Sequence, residues 1–123
     1  MPLYRITTPE GLLSAEAKAA LAAEITEFHC QMAGLDEAYV KIVFDSFRRG
    51  DGFIGREAAS AVILTVMVRA GRPPDYKRQL LFGLKSRLQR ATSAEDVQLL
   101  LAIQEAPASN AIEMGELMPD IGA

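Results

Sequence analysis

The second residue of the chain could supply an unusual acid–base group. If Met1 is removed, Pro2 becomes the first residue, and its ring nitrogen is then a secondary amine and not an amide. Such an amine can accept or donate a proton near neutral pH, and no internal residue offers the same chemistry. Proline is common in ordinary chains, so the weight of Pro2 depends on the groups that the fold brings beside it.

The composition indicates which partners such a group would serve. The 123 residues are 50% hydrophobic, carry a formal net charge of −3 and include one cysteine. This length and composition are typical of one domain with its own core. Because the charge is slightly negative and basic residues occur at most in pairs, we expect neither nucleic acid nor a membrane surface as a partner.

We expect a cytoplasmic protein that acts on a small molecule without a metal or cofactor. No apolar run is long enough for a membrane span, and the first residues lack the basic and apolar regions of a signal peptide. Cys30 has no second thiol for an internal disulfide or a redox site, so we interpret it as a small buried hydrophobic residue.

The elements that would position Pro2 follow from hydrophobic spacing. Residues 3–7 predict a first strand, which turn residues 8–11 interrupt. Ser14 is a candidate N-cap of a helix that ends before Gly34. The apolar stripe of this helix comprises Ala17, Leu21, Ile25, Phe28 and Met32. Residues 40–44 predict a second strand, followed by a short hairpin around Phe53 and Ile54.

The second half of the chain repeats this order. Residues 61–68 form a continuous apolar run that predicts a third strand. Pro73 and Pro74 then begin a second helix, in whose first turn proline is tolerated. The buried stripe of this helix comprises Leu80, Leu84, Leu88 and Ala91. Residues 97–103 predict the fourth strand.

The halves, at about residues 1–57 and 58–123, therefore predict an internal repeat of two βαβ units within one domain. We expect an α+β fold in which a pseudo-twofold axis joins the units into a four-stranded mixed sheet with both helices on one face. The first and third strands would then run antiparallel, and if they are neighbours, Pro2 lies close to Arg69 and Arg72. The opposite sheet face would remain apolar and uncovered, so we expect oligomerisation.

At this point the residues resemble the tautomerase superfamily, and most of all its cis-3-chloroacrylic acid dehalogenase group. The resemblance rests on Pro2, the repeat, His29 late in the first helix, and the pattern Arg-x-Gly-Arg-x-x-Asp-x-Lys at residues 69–77. It also includes Glu-x-Pro at residues 105–107, with Glu113 eight residues after that glutamate. Nearly the whole chain is covered, and the family architecture, together with the uncovered sheet face, implies a homotrimer.

The resemblance also implies a role for each site residue. Pro2 would be the catalytic acid or base, Arg69 and Arg72 would bind a substrate carboxylate, His29 would orient that carboxylate, and Glu113 would activate water. Guanidinium groups bind carboxylates through charge-assisted hydrogen bonds and withdraw electron density from a conjugated acid. The expected substrates are small unsaturated or 2-oxo carboxylic acids, with tautomerase, hydratase or hydrolytic dehalogenase activity.

One position departs from the pattern of these dehalogenases. Where they carry a tyrosine in the fourth strand, which acts from the neighbouring subunit, this chain has Ala102. We therefore expect water activation by Glu113 to be weaker than proton transfer by Pro2. We also expect the nearest charged group to decide whether the Pro2 amine acts as acid or base, since arginines lower the pKa of that amine and Glu113 raises it.

The sequence is also compatible with two different functions. A malonate semialdehyde decarboxylase would pair Pro2 with arginines and an aspartate, for which Asp36 is the nearest candidate. A non-catalytic oligomer that binds small acids is the second possibility. Taken singly, His29 would be an ordinary helix histidine, and the arginines and Glu113 would be solvated charges in surface segments.

Overall fold

A computed structural model describes residues 1–121, and its helices and strands alternate as the hydrophobic spacing predicts. The elements are β1 (Leu3–Pro9), α1 (Ala15–Ala33), β2 (Lys41–Phe47), β3 (Phe53–Ile54), β4 (Glu57–Ala58), β5 (Val62–Arg69), α2 (Pro74–Thr92), β6 (Leu99–Ala106), β7 (Ile112–Glu113) and β8 (Glu116–Leu117). The predicted domain boundary at residue 123 lies outside the described residues, and the single-domain assignment stays a prediction.

The main sheet has the order β2-β1-β5-β6. The outer pairs β1–β2 and β5–β6 are parallel, as βαβ units require, whereas the central pair β1–β5 is antiparallel. The predicted α+β fold of two βαβ units is therefore confirmed. The central register pairs Leu3 with Met67, so the start of β1 lies beside the end of β5.

Strand β1 continues two residues beyond the predicted end, to Pro9. Its pairing with β5 stops at Thr7, but the parallel pairing with β2 extends to Pro9, and the Glu10 amide donates to the Phe47 carbonyl at 2.8 Å. The missing N–H of Pro9 therefore falls on the side where β5 has already ended, so no ladder hydrogen bond is lost.

The fourth strand, β6, begins later than predicted, at Leu99. Residues Asp96–Gln98 form a 3-10 turn instead, stabilised by a reciprocal capping box between Glu95 and Gln98. Val97 therefore stays exposed, although it belonged to the predicted strand. The local capping bonds compete successfully with strand formation at this point.

Helix α1 carries both of its predicted end signals, and α2 carries the predicted prolines at its start. The Ser14 side chain accepts a hydrogen bond from the Ala17 amide at 3.0 Å, and Gly34 closes α1 in the left-handed conformation at φ 66°. Helix α2 begins at Pro74, and Ser93 adopts the left-handed conformation at its end. The buried positions of the two helices are Leu21, Ile25, His29, Leu80, Leu84, Leu88 and Thr92.

The core lies between the helices and one face of the sheet. Alternate residues of β1 and β5 point into it, and those that are fully buried are Tyr4, Ile6, Val62, Leu64 and Val66. Within residues 1–121 no helix covers the opposite sheet face, where Val43 is 40% and Leu100 is 58% exposed. The hydrophobic pattern of the sequence predicted such a sheet face without a covering helix.

Two short hairpins complete the described chain. The predicted hairpin at Phe53 and Ile54 pairs β3 with β4, and a second hairpin pairs β7 with β8. Glu113 therefore lies on the first strand of the second hairpin. Among the described residues, no helix has the length and hydropathy that a membrane crossing requires.

Candidate active site

The N-terminus lies at the centre of the candidate site because β1 and β5 run antiparallel. Beyond the Leu3–Met67 pair, the register places Pro2 and Met1 opposite the last residues of β5, including Arg69. Pro2 is fully buried, and its carbonyl accepts a hydrogen bond from the Lys41 amide at 3.1 Å. The predicted proximity of Pro2 and Arg69 is therefore present, and Met1 and Arg69 line the same cavities.

Glu113 is an enclosed carboxylate and not a solvated surface charge. Its side chain is 8% exposed, and one oxygen contacts the Met1 amine. The other oxygen, Oε2, lies 3.2 Å from Lys41 Nζ. The β7–β8 hairpin thus brings a negative charge directly to the N-terminal nitrogen.

The N-terminal amine is held closer to its neutral form despite this carboxylate. Burial, together with the positive charges of Lys41 and Arg69, lowers the pKa of the Met1 amine from 8.0 to about 6. Burial is the largest cause of this shift. The expectation that the nearest charge decides concerns the Pro2 amine and stays a prediction.

His29 is buried at the end of α1 and belongs to the site. The Tyr4 hydroxyl and His29 Nδ1 are 2.6 Å apart, and the two rings meet edge to face. Burial, with the nearby charges of Arg72 and the N-terminus, lowers the pKa of His29 to about 4, so the imidazole is neutral at pH 7. Burial also raises the pKa of Tyr4, which keeps its hydroxyl protonated.

The hydrogen bond between these side chains selects one histidine tautomer. The buried Tyr4 hydroxyl needs an acceptor, and Nδ1 of His29 is its partner within residues 1–121. We therefore infer that Tyr4 donates to Nδ1 and that the proton of the neutral ring resides on Nε2. This leaves His29 with an N–H donor for the cavity that it lines.

The two arginines lie at the same end of the sheet as the N-terminus. Both side chains are partly buried. The Arg72 guanidinium stacks 4.7 Å from the centre of the Tyr76 ring. Arg69 Nη1 donates to the Pro119 carbonyl at 2.5 Å, which ties β5 to the C-terminal segment.

A glutamate and a lysine hold the turn that carries Arg72. Glu105 accepts a hydrogen bond from Lys77 Nζ at 2.9 Å and another from the Gly71 amide. The Lys77 hydrogen bond lowers the pKa of Glu105. Gly71 has φ +119°, a conformation that side chains disfavour, which explains the glycine in this motif.

Two adjoining cavities surround Met1. The smaller, of about 20 Å³, has a cationic wall with His29, Arg69 and Arg72. The larger, of about 350 Å³, is lined by Glu113 and by apolar side chains of the C-terminal segment. Met1, Leu35 and Arg69 line both cavities, so the two cavities adjoin at these side chains.

Some contributors were not identified from sequence. Tyr4 and Tyr76 carried no motif signal, because an aromatic residue in a strand or helix usually indicates core packing. Lys41 carried no motif signal either, because it is an ordinary polar residue at the start of a strand. Cys30, expected to be buried, is half-buried on α1, where partial burial raises the pKa of its thiol.

Asp36 and Ala102 lie away from these cavities. The Asp36 carboxylate accepts the Ala38 amide at 2.8 Å and caps a 3-10 turn at Glu37–Tyr39. Ala102 alternates with core-packed Leu101 and Ile103 on β6, so its side chain faces the uncovered sheet face. Within residues 1–121, no cluster of three or more potential metal ligands occurs.

The comparisons with known proteins agree with this fold. No curated protein sequence matches the chain. The native structure of Ps01740 is 30% identical, with 90% of this chain and 99% of that chain covered and a TM-score of 0.87. The structure of N1, a member of the cis-3-chloroacrylic acid dehalogenase family, is 25% identical over 98% of this chain and 85% of that chain, with a TM-score of 0.90.

More distant structures share the same architecture. A symmetric trimer of a wild-type fused 4-OT protein is 19% identical, covers 94% of each chain and has a TM-score of 0.85. Over residues 1–123 the sequence matches the family described as "Putative oxalocrotonate tautomerase enzyme". The chain therefore belongs to this family of the tautomerase superfamily and resembles its cis-3-chloroacrylic acid dehalogenase group.

Proposed function

We propose that this chain is an enzyme that uses the Pro2 amine, freed by removal of Met1, as an acid or base on small unsaturated or 2-oxo carboxylic acids. The observation that carries this proposal is the position of Met1, which lines both the small cavity with Arg69 and Arg72 and the larger cavity with Glu113. Removal of this residue would leave the Pro2 nitrogen beside both cavities.

Chain geometry supports a productive distance. One residue spans at most about 3.6 Å, so the Pro2 nitrogen lies within about that distance of the Met1 nitrogen, which contacts Glu113. A substrate or one water can then occupy the space between the Pro2 amine and the Glu113 carboxylate. The substrate carboxylate would bind at Arg69 and Arg72, with the Nε2 hydrogen of His29 as a further donor.

Tautomerisation is the reaction that the electrostatics favour. Burial and the charges of Lys41 and Arg69, which lower the pKa of the amine at this end of the chain, favour an unprotonated Pro2 nitrogen near neutral pH. That nitrogen can take the proton from an enol hydroxyl and return it to the carbon two bonds away. Arg69 and Arg72 stabilise the negative charge that develops on the conjugated oxygens.

Addition of water is the second candidate, and the enclosed Glu113 carboxylate favours it. Glu113 would remove a proton from water as it attacks the far carbon of the substrate, and a protonated Pro2 would deliver a proton to the adjacent carbon. Ala102 cannot supply a phenol to hold that water. We therefore propose that hydration and dehalogenation are slower than enol–keto conversion.

Decarboxylation and simple binding of small acids have less support. A decarboxylase of the malonate semialdehyde type would need an aspartate at the site, but the Asp36 carboxylate caps a turn. A non-catalytic protein that binds small acids would not require Glu113 to be enclosed beside the N-terminal nitrogen. Both stay outcomes of the experiment below.

We also propose that the active form is a cytoplasmic homotrimer. The uncovered sheet face supports assembly, because an exposed apolar sheet face is costly in water. The trimeric assembly of the fused 4-OT relative, which has the same fold, suggests the number of copies.

The experiment is a substrate panel with protein whose mass proves removal of Met1. We expect the processed chain to convert enols such as phenylenolpyruvate, and Pro2→Ala to lower kcat/KM by at least about 10²-fold while the fold is retained. A chain extended by a tag ahead of Met1, in which the Pro2 nitrogen stays an amide, should lose as much activity. Near-normal turnover by Pro2→Ala would end the proposal.

A further inference from the structure

Lys41 is a charged residue beside this site to which the proposed mechanism assigns no contact with substrate. It is the first residue of β2, and its amide donates to the Pro2 carbonyl at 3.1 Å. The parallel register pairs it with Leu3. The backbone of Lys41 is therefore bound directly to the segment that presents the proton-transfer nitrogen.

The Lys41 side chain extends this link to Glu113. Its Nζ lies 3.2 Å from Glu113 Oε2 and 3.2 Å from the Ala38 carbonyl. Glu113 uses its other oxygen for the N-terminal amine, so one enclosed carboxylate is shared between that amine and the Lys41 ammonium. The ammonium of Lys41 closes the solvent side of this arrangement, with a side chain that is 49% exposed.

We propose that Lys41 is a positioning residue that aims one Glu113 oxygen at the N-terminal nitrogen and provides a positive charge that opposes protonation of that nitrogen. Lys41 would thereby favour tautomerisation over water addition. This inference rests on the proposed function of Pro2, which it refines.

Several other charged or titratable groups line the two cavities beside the same nitrogen. Arg69 from β5 and Arg72 across the small cavity are cations and oppose protonation of the amine. His29 lines the same cavity, but it is neutral and does not assist protonation. Glu113 from β7 and Glu116 from β8, which line the large cavity, favour protonation. Tyr39 and Tyr76 complete the titratable residues that line the two cavities.

Removal of the Lys41 charge should therefore favour the protonated form of the amine. Glu113 would be left to pair with the amine alone, so its whole negative charge would favour the protonated form. A charge within about 4 to 6 Å of a titratable group typically shifts its pKa by about 1 to 3 units. Because the Lys41 side chain is half-exposed, we place its effect at the low end of this scale. We expect the amine of Pro2 to titrate about one pH unit higher without Lys41.

The experiment compares Lys41→Met, Lys41→Arg and Lys85→Met in processed protein. Lys85 pairs with Asp96 at 3.1 Å on the exposed side of α2 and is the matched control. We expect Lys41→Met to move the acidic limb of kcat/KM for phenylenolpyruvate upward by about one pH unit, with the high-pH plateau largely kept. Lys41→Arg and Lys85→Met should retain the wild-type profile.

A second measurement separates this inference from the proposed function. Titration of ¹⁵N-proline-labelled protein follows the Pro2 amine without any substrate. If wild type is active and depends on Pro2 but the Lys41→Met titration is unchanged, the role of Lys41 is overturned and the Pro2 mechanism stands. If wild type turns over no substrate, the proposed reaction fails, whereas an upward shift in Lys41→Met still supports the charge effect of Lys41.

Discussion

The pair of Tyr4 and His29 shows how one buried side chain prepares another for binding. As an isolated feature, a histidine beside the stripe of α1 is typical of a hydrogen-bonded helix residue. His29 satisfies that description through Tyr4, yet it also lines the cationic cavity. The same hydrogen bond that satisfies the ring on the core side makes Nε2 the donor on the cavity side.

At the level of the residue, Tyr4→Phe tests whether the Tyr4 hydroxyl selects the tautomer of His29. Loss of the hydroxyl removes the preference for the Nε2–H tautomer, so we expect a mixture of tautomers and a KM that rises about tenfold more than kcat falls. His29 is the single histidine of the chain, so its ¹⁵N imidazole resonances report the tautomer directly. An unmixed Nε2–H tautomer in Tyr4→Phe would contradict the assignment.

The two helices depend on a close approach at Gly83. A Cβ at this position of α2 would collide with the Phe28 ring of α1, on whose plane the Arg87 guanidinium packs at 4.0 Å. Phe28 was correctly predicted in the stripe of α1. Gly83 allows α2 to pass the ring closely, which compensates for the low helix propensity of glycine.

Gly83→Ala tests this packing at the level of the element. In an ordinary helix this change is favourable by roughly 1 kcal/mol, but overpacking costs about 1 to 3 kcal/mol. We therefore expect Gly83→Ala to lower the free energy of unfolding in the wild type by about 1 kcal/mol. In a Phe28→Ala background the same substitution should be stabilising, as urea denaturation can measure. Stabilisation in both backgrounds would refute the contact.

At the scale of the whole molecule, the uncovered sheet face supports the proposed assembly. Residues of β1 and β5 that alternate with the core, such as Leu3, Ile63 and Met67, face this side together with Val43 and Leu100. Because Ala102 also faces this side, a substitution there acts on the chain's own cavities only through a neighbouring copy.

We predict that Met67→Lys dissociates the homotrimer. Met67 lies on a central strand, and a lysine there would place a charge within an apolar interface. Phe82→Lys on α2, where Phe82 is 65% exposed, is the matched control and should remain trimeric. Sedimentation equilibrium at micromolar concentration distinguishes the two. A wild-type monomer would contradict both the assembly and any shared site.

The local order of the chain was determined largely by the sequence alone. Ser14 and Gly34 marked α1 correctly, and the continuous apolar run of β5 identified the central strand, because caps and hydrophobic patterning act over neighbouring residues. The internal repeat then implied that β1 and β5 run antiparallel, so that Pro2 would lie near Arg69 if the two strands were neighbours. The tertiary structure shows that they are neighbours.

The tertiary structure alone decided the state of each site residue. Burial at the junction of strands and hairpin lowers the pKa of the N-terminal amine and of His29, and it encloses Glu113, which in sequence is an ordinary polar residue of a C-terminal segment. Tyr4 lies 25 residues from His29, and Lys41 lies 72 residues from Glu113. Such pairings and their desolvation depend on three-dimensional packing, which no local spacing in the sequence specifies.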